Sequence, residues 1–96
     1  MNEALLKQQT PTEITAALAQ RLRARRKERK FTQAELSVRS GVSLGSLRRF
    51  EATGEVSLKS LTKLATALSL EADFEQLFTR RQYQSIQEII DEQERR

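Results

Sequence analysis

The sequence contains no cysteine and no histidine. Disulfides and thiolate metal sites are therefore excluded, and the side chains that most often act as general base, nucleophile or transition-metal ligand are missing. The acidic residues are scattered along the chain and form no recognisable catalytic pair. We therefore expect a protein that is not an enzyme, with no catalytic residues, no metal site and no cofactor.

Residues that favour sheets and turns are also scarce. The 96 residues include four phenylalanines, one tyrosine, three glycines and one proline. A sheet protein would need more β-branched and aromatic residues and more turns. A chain of this length has room for one modest core. The composition therefore predicts a single small all-α domain.

Long apolar runs are absent as well. No segment approaches the roughly 18 consecutive apolar residues that a membrane span requires. The N-terminal segment MNEALLKQQTPTE lacks the basic-then-apolar pattern of a signal sequence. We therefore expect a cytoplasmic protein without a membrane partner.

Positive charge is concentrated in one part of the chain. Residues 21–49 carry ten Lys or Arg and two acids, a net charge of +8, whereas the rest of the chain has a net charge of −4. Such segregation is typical of a polyanion binder, because Lys and Arg contacts with phosphates release condensed counterions. A solvated, charged helix face is the alternative interpretation of the same residues.

Capping patterns show where helices begin. The segment TPTE at residues 10–13 predicts a helix over about 11–29, and TQAE at residues 32–35 predicts the start of a second helix. Ser43 and Ser57 are expected to cap a third and a fourth helix. A short, acidic fifth helix is expected to follow. The apolar residues predicted to form the core are Ile14, Leu18, Leu22, Leu36, Val42, Leu47, Phe50, Leu58, Leu61, Leu64, Ala65, Leu68, Phe74, Leu77 and Phe78.

Residues 33–51, QAELSVRSGVSLGSLRRFE, predict two short helices joined by a glycine turn. A major groove about 12 Å wide admits one helix, and a helix-turn-helix holds that helix at the angle that presents side chains to base edges. The geometry needs a small residue in the turn, apolar residues at the helix crossing, and polar or basic residues facing outward. Gly41 is the small residue of the turn. The apolar residues at the helix crossing are Leu36, Val42, Leu47 and Phe50, and the outward-facing residues are Ser43, Arg48 and Arg49.

This pattern resembles the Cro/phage-repressor type of helix-turn-helix, also called the xenobiotic-response-element family. The resemblance covers about residues 13–78 and rests on the R-x-R-R end of the first helix, FTQAELS, the GVS turn, SLRRFE and the leucine-rich fourth helix. It implies a five-helix, lambda-repressor-like DNA-binding domain at 11–78. That domain would lie between a flexible N-terminal arm at 1–10 and a C-terminal tail at 79–96, helical or frayed.

The resemblance also implies roles for individual residues. Arg26 and Glu51 match an arginine and a glutamate that commonly pair in this family, although both could be solvated surface charges. Arg48 and Arg49 are predicted to recognise guanine, because a planar guanidinium bonds O6 and N7 together; phosphate contact or solubility is the alternative for each. The predicted base-reading residues are Ser43, Leu44, Gly45, Arg48 and Arg49. The predicted phosphate contacts are Thr32, Gln33, Arg39, Ser46 and Lys59.

Four residues depart from the family pattern. Ser37 stands where alanine is frequent and Ser40 where a larger apolar residue is common, so packing under the turn is expected to be loose. Leu44 and Gly45 replace the glutamines of some phage repressors, and they offer only a thymine-methyl contact and a close backbone approach. Base reading would then depend on the two arginines and on DNA shape.

The segment SLGSLRRFE, followed by GEVSL at residues 54–58 and the short acidic fifth helix, further resembles regulators encoded with HipA-type kinase toxins. It implies an autoregulating antitoxin that binds a pseudo-palindromic operator as a homodimer. A protein-interaction antitoxin, whose main task is to hold a partner kinase through the tail or the fifth helix, is the competing hypothesis. A third hypothesis is a basic membrane-surface helix at 11–30, although no bulky aromatic residue lines its apolar face.

Overall fold

The structure, a computed structural model, describes residues 9–81 and 86–95. Within these ranges it contains helices and no strand, so the predicted all-α class is confirmed. Most of the predicted N-terminal arm lies outside the described residues. The helices are α1 (Pro11–Glu28), α2 (Gln33–Ser40), α3 (Leu44–Thr53), α4 (Leu58–Ala67), α5 (Ala72–Gln76) and α6 (Ile86–Glu94).

Both predicted capping boxes are present. At the start of α1, the Thr10 hydroxyl accepts a hydrogen bond from the Glu13 backbone N–H at 3.1 Å, and the Glu13 carboxylate accepts one from the Thr10 N–H at 3.1 Å. Thr32 and Glu35 make the same exchange at the start of α2. Each box satisfies two backbone donors that the first turn of a helix leaves unpaired. The remaining predicted caps, Ser43 and Ser57, are also confirmed.

The core lies where α3 packs on α1 and α2 and where α4 packs on α2. Its most deeply buried side chains are Leu36, Leu47, Phe50 and Leu64. Burial of such residues stabilises the fold by about 1.5–3 kcal/mol each. The other buried core members are Ala19, Leu22, Val42, Leu61, Ala65 and Leu68. The central position of α3 means that its inner face is held firmly by both neighbouring helices.

Four residues predicted to lie in the core are exposed. Ile14 and Leu58 belong to the first turns of α1 and α4, before the first buried residues of those helices. Apolar periodicity gives the direction of a side chain but not how far the facing helix extends. Leu77 and Phe78 are exposed because α5 ends at Gln76: Leu77 has an extended backbone, and Phe78, 93% exposed, has a φ of 61°.

The C-terminal tail contains α6, which begins one residue after Ser85. Residues 82–85, which precede α6, lie outside the described residues. Ile89 is half-buried and Ile90 is exposed. Arg81 and Glu92 form an ion pair between the two described parts of the tail. Across residues 9–81 and 86–95, no helix combines the length and the apolar character needed to cross a membrane.

Candidate nucleic-acid interface

The turn between α2 and α3 depends on Gly41. This residue has a φ of +76°, and its N–H donates to the Ser37 carbonyl oxygen at 3.0 Å, which closes the C-terminus of α2. A Cβ built on Gly41 would meet no atom within 4 Å. The glycine is therefore required by its left-handed backbone and not by lack of space. This is the turn geometry that the sequence predicted.

Two serines hold the same turn through side-chain hydrogen bonds. The Ser37 hydroxyl donates to the Val42 carbonyl oxygen at 2.6 Å, and the Ser40 hydroxyl accepts from the Val42 N–H at 3.1 Å. Val42 is thereby fixed in the core at the end of the turn. The departure of both serines from the family pattern predicts loose packing here. The structure gives them a bonding role instead, which the known tendency of serine to bond nearby backbone would have suggested.

Helix α3, the second helix of the α2–turn–α3 unit, has a buried face and an exposed face. Leu47 and Phe50 are fully buried, whereas Gly45, Ser46, Arg48 and Arg49 are exposed. Of the residues predicted to read bases, Ser43, Gly45, Arg48 and Arg49 therefore share the solvent side. Leu44 is half-buried and is less accessible than predicted. Ser43 also caps α3, where its hydroxyl donates to the Ser46 hydroxyl at 2.9 Å.

The two arginines of α3 have different surroundings. The Nε and Nη2 of Arg49 donate to Oε2 of Glu55 at 2.8 and 2.5 Å. Within the described part of the chain, no hydrogen bond or ion pair engages the Arg48 guanidinium. The sequence pattern predicts the same role for both arginines. The structure shows that one has a carboxylate partner and the other is solvated.

The predicted phosphate contacts are spread over three helices and one cap. Gln33 and the cap Thr32 lie at the N-terminus of α2, and Ser46 lies in the first turn of α3. Arg39 lies about 9 Å further along α2 at 1.5 Å per residue, where its guanidinium stacks 4.3 Å from the centre of the Phe31 ring. Lys59 is exposed in the first turn of α4. The structure thus brings only part of this set to the N-terminal ends of α2 and α3.

Arg26 and Glu51 form a buried, two-bonded ion pair between α1 and α3. Nε of Arg26 donates to Oε2 of Glu51 at 2.7 Å, and Nη2 donates to Oε1 at 2.8 Å. The two side chains are 8% and 5% exposed. Nη1 of Arg26 donates to the Phe31 carbonyl oxygen at 2.8 Å, and Nε2 of Gln33 donates to Oε1 of Glu51 at 2.9 Å. Glu51 therefore connects α1, α2 and α3.

The surroundings of Glu51 change its acidity. Burial raises the pKa of the Glu51 carboxyl, but the hydrogen bonds from Arg26 and Gln33 and the positive charges of Arg26 and Arg23 outweigh burial. The resulting pKa lies below its ordinary value of 4.5. A carboxylate whose pKa is lower in the folded than in the unfolded chain stabilises the fold above the unfolded pKa. That stabilisation is lost as pH falls through the folded pKa.

We therefore expect the free energy of unfolding to fall as pH is lowered from about 4.5 through the folded pKa of Glu51. Chemical denaturation at a series of pH values would measure this slope. In Glu51→Gln, which cannot titrate, the slope in this range should be smaller than in the wild type. An identical slope in the two proteins would contradict the role of Glu51 in acid unfolding.

Comparison with known proteins gives one match. A family model described as helix-turn-helix matches residues 22–74, which is more than half of the chain. The searches against curated proteins and against solved structures found no match. The matched segment begins within α1 and ends in α5, so it contains the α2–turn–α3 unit and both residues of the buried ion pair.

Proposed function

The chain belongs to the helix-turn-helix family of DNA-binding transcription regulators, and from that membership we propose that it is a repressor that reads a specific operator. The observation that carries the proposal is the division of α3 into two faces. Leu47 and Phe50 fix the helix in the core, while Arg48 and Arg49 project from its exposed side. A rigidly held helix with solvent-facing guanidinium groups is suited to major-groove recognition.

In this proposal, α3 enters the major groove and two arginines contact guanine. The space beside Gly45 is open, since a Cβ there would meet no protein atom within 4 Å, and the missing side chain would let DNA approach the helix closely. Leu44 would contribute a thymine-methyl contact through the part of its side chain that is exposed, and Ser43 would contact a base edge. Phosphate groups would contact Ser46 and the N-terminus of α2, where the helix dipole favours anions.

The finer assignments extend this proposal. A homodimer would place one recognition helix in each half-site of a pseudo-palindromic operator, with centres about 34 Å apart. The DNA-binding domain would span 11–78, with a flexible arm at 1–10 and a tail at 79–96. The resemblance to regulators encoded beside HipA-type kinases supports an autoregulating antitoxin. Thr32, Gln33, Arg39 and Lys59 complete the proposed phosphate contacts.

An antitoxin that acts mainly by holding a partner kinase is the second candidate function. The observation that favours it is the exposed apolar pair Leu77 and Phe78, which follows the acidic helix α5. A kinase-like gene beside the coding sequence would support this function as well as autoregulation. Retention of the kinase by a variant that no longer binds DNA would separate the two roles.

The test of base reading begins with duplexes that the purified protein selects from a random pool. On the selected duplex, Arg49→Ala and Arg48→Ala should each weaken binding by about 1–3 kcal/mol and relax one base position. Gel shifts on the selected and on an unselected duplex would measure both effects. Arg80→Ala is the matched control, since it removes the same charge outside the proposed domain. Equal weakening on both duplexes would contradict a base contact for the arginine concerned.

A further inference from the structure

A carboxylate stands beside the proposed base-reading face of α3. Oε2 of Glu55 accepts hydrogen bonds from Nε and Nη2 of Arg49. These two donors form the side edge of the planar guanidinium. The end edge, which consists of Nη1–H and the second Nη2–H, is not used by Glu55. Two parallel donors on this end edge match the O6 and N7 acceptors of guanine.

The turn that carries Glu55 is anchored at several points. The Thr53 hydroxyl donates to the Arg49 carbonyl oxygen at 2.7 Å and accepts from the Glu55 N–H at 3.1 Å. Gly54 has a φ of +82° and is buried, and its N–H donates to the Phe50 carbonyl oxygen at 2.8 Å. The backbone of Glu55 is thus fixed to the last turn of α3. Its carboxylate can reach Arg49 without ordering a flexible loop.

The ion pair itself adds little to the stability of the fold. The side chains of Arg49 and Glu55 are 69% and 62% exposed, and solvent screens such a pair. A negative charge beside the proposed interface also repels DNA phosphates, so Glu55 weakens binding to DNA of any sequence. Glu55 can nevertheless increase discrimination between bases, because a guanidinium that is already oriented loses less conformational freedom on binding its base.

We propose that Glu55 is a positioning residue that holds Arg49 with its Nη1/Nη2 edge directed at one guanine of the operator. The inference rests on the proposed function, since it needs α3 in the major groove. It gives the two arginines unequal roles. Arg49 is oriented before DNA binds, whereas Arg48 has no such partner in the described part of the chain and becomes ordered only when it contacts its base.

The experiment uses the full chain and a duplex that the wild type selects from a random pool. Arg49→Ala first identifies the guanine that depends on Arg49. Binding is then measured for duplexes with guanine, adenine or 7-deazaguanine, which lacks the N7 acceptor, at that position. In Glu55→Ala and Glu55→Gln, preference for guanine should fall by about fivefold or more, a bidentate contact being worth at least that much. Binding to unselected DNA should stay equal or become tighter.

Two controls distinguish the orientation of Arg49 by Glu55 from a general effect of negative charge. Glu75→Gln removes one exposed negative charge from α5 and should leave the preference for guanine unchanged. In the Arg49→Ala background, adding Glu55→Ala should leave the remaining preference unchanged within about twofold, because Glu55 acts through Arg49 and the two changes are therefore coupled and not additive. The thermal unfolding midpoint of Glu55→Ala should match that of the wild type, which excludes a general folding defect.

The possible outcomes distinguish failure of the positioning role of Glu55 from failure of the proposed function. If Glu55→Ala keeps the full preference for guanine while Arg49→Ala loses it, the positioning role is wrong and the proposed function stands. If Glu55→Ala reduces the preference even without Arg49, Glu55 acts through another group and the inference is also wrong. If the wild type selects no sequence from the random pool, base reading itself fails, and the inference fails with it.

Discussion

Replacing Glu51 by alanine is expected to lower the free energy of unfolding by about 3–5 kcal/mol, the usual loss when one partner of a buried ion pair is removed. Among the described residues, only the Phe31 carbonyl oxygen then remains as a hydrogen-bond partner of the buried Arg26 guanidinium. It also removes the acceptor of the Gln33 amide. Equilibrium unfolding in urea, followed by circular dichroism, would measure the loss.

A matched control for this prediction lies in α1. Arg25 and Glu28 form an ion pair at 2.7 Å, with both side chains exposed. Glu28→Ala should cost no more than about 0.5 kcal/mol, since exposed helical pairs contribute little. Replacing both buried partners, with Arg26→Met and Glu51→Leu together, should restore part of the stability lost in Glu51→Ala. A cost for Glu51→Ala as small as that for Glu28→Ala would show that the buried pair is not needed.

Gly54→Ala is expected to lower the free energy of unfolding by about 2–5 kcal/mol. A left-handed backbone costs a non-glycine residue about 1–2 kcal/mol, and Gly54 has a φ of +82°. A Cβ at this position would also lie 2.9 Å from the backbone carbonyl carbon of Thr15, closer than such atoms approach. Relief of this overlap requires α1 to move away from α3, which adds about 1–3 kcal/mol. Thermal and urea unfolding would measure the total loss in the free energy of unfolding.

Gly41→Ala provides the comparison that separates the two causes. Gly41 has almost the same conformation, with a φ of +76°, but a Cβ there would meet no atom within 4 Å. Its replacement should cost only the backbone part, about 1–2 kcal/mol. The difference between the two variants therefore measures the close approach of α3 to α1. Equal losses would mean that the contact between Gly54 and Thr15 relaxes without cost.

Local features of the fold were predictable from the sequence because their causes are local. Thr10 and Thr32 cap the helices that immediately follow them, and Gly41 closes the helix that precedes it. The limits of the core were less predictable, as the exposed Leu58 and Phe78 show. How much of each helix is covered depends on packing partners that are distant in sequence, and a periodic apolar pattern does not show where those partners end.

In the candidate site, too, local features were predictable from the sequence and most contacts between distant residues were not. The buried face of α3 followed from the spacing of Leu47 and Phe50, whereas the pairing of Arg26 with Glu51 was expected only from the family resemblance. The bond between Gln33 and Glu51 had no signal in the sequence. It is compatible with a phosphate contact, because the Gln33 amide carries a second N–H. The carboxylate beside Arg49 also required the structure, since six residues and a turn separate the two.

The shared carboxylate of Glu51 has a consequence for how the molecule opens. If α1 were to detach from α3 by itself, the charge of Arg26 would lose its partner while Glu51 remained beside Gln33. If α2 were to detach, the Gln33 amide would lose its bond to Oε1 of Glu51. Fraying of one helix at a time is therefore penalised, and amide hydrogens in the middle of α1, α2 and α3 should exchange with solvent through one common opening.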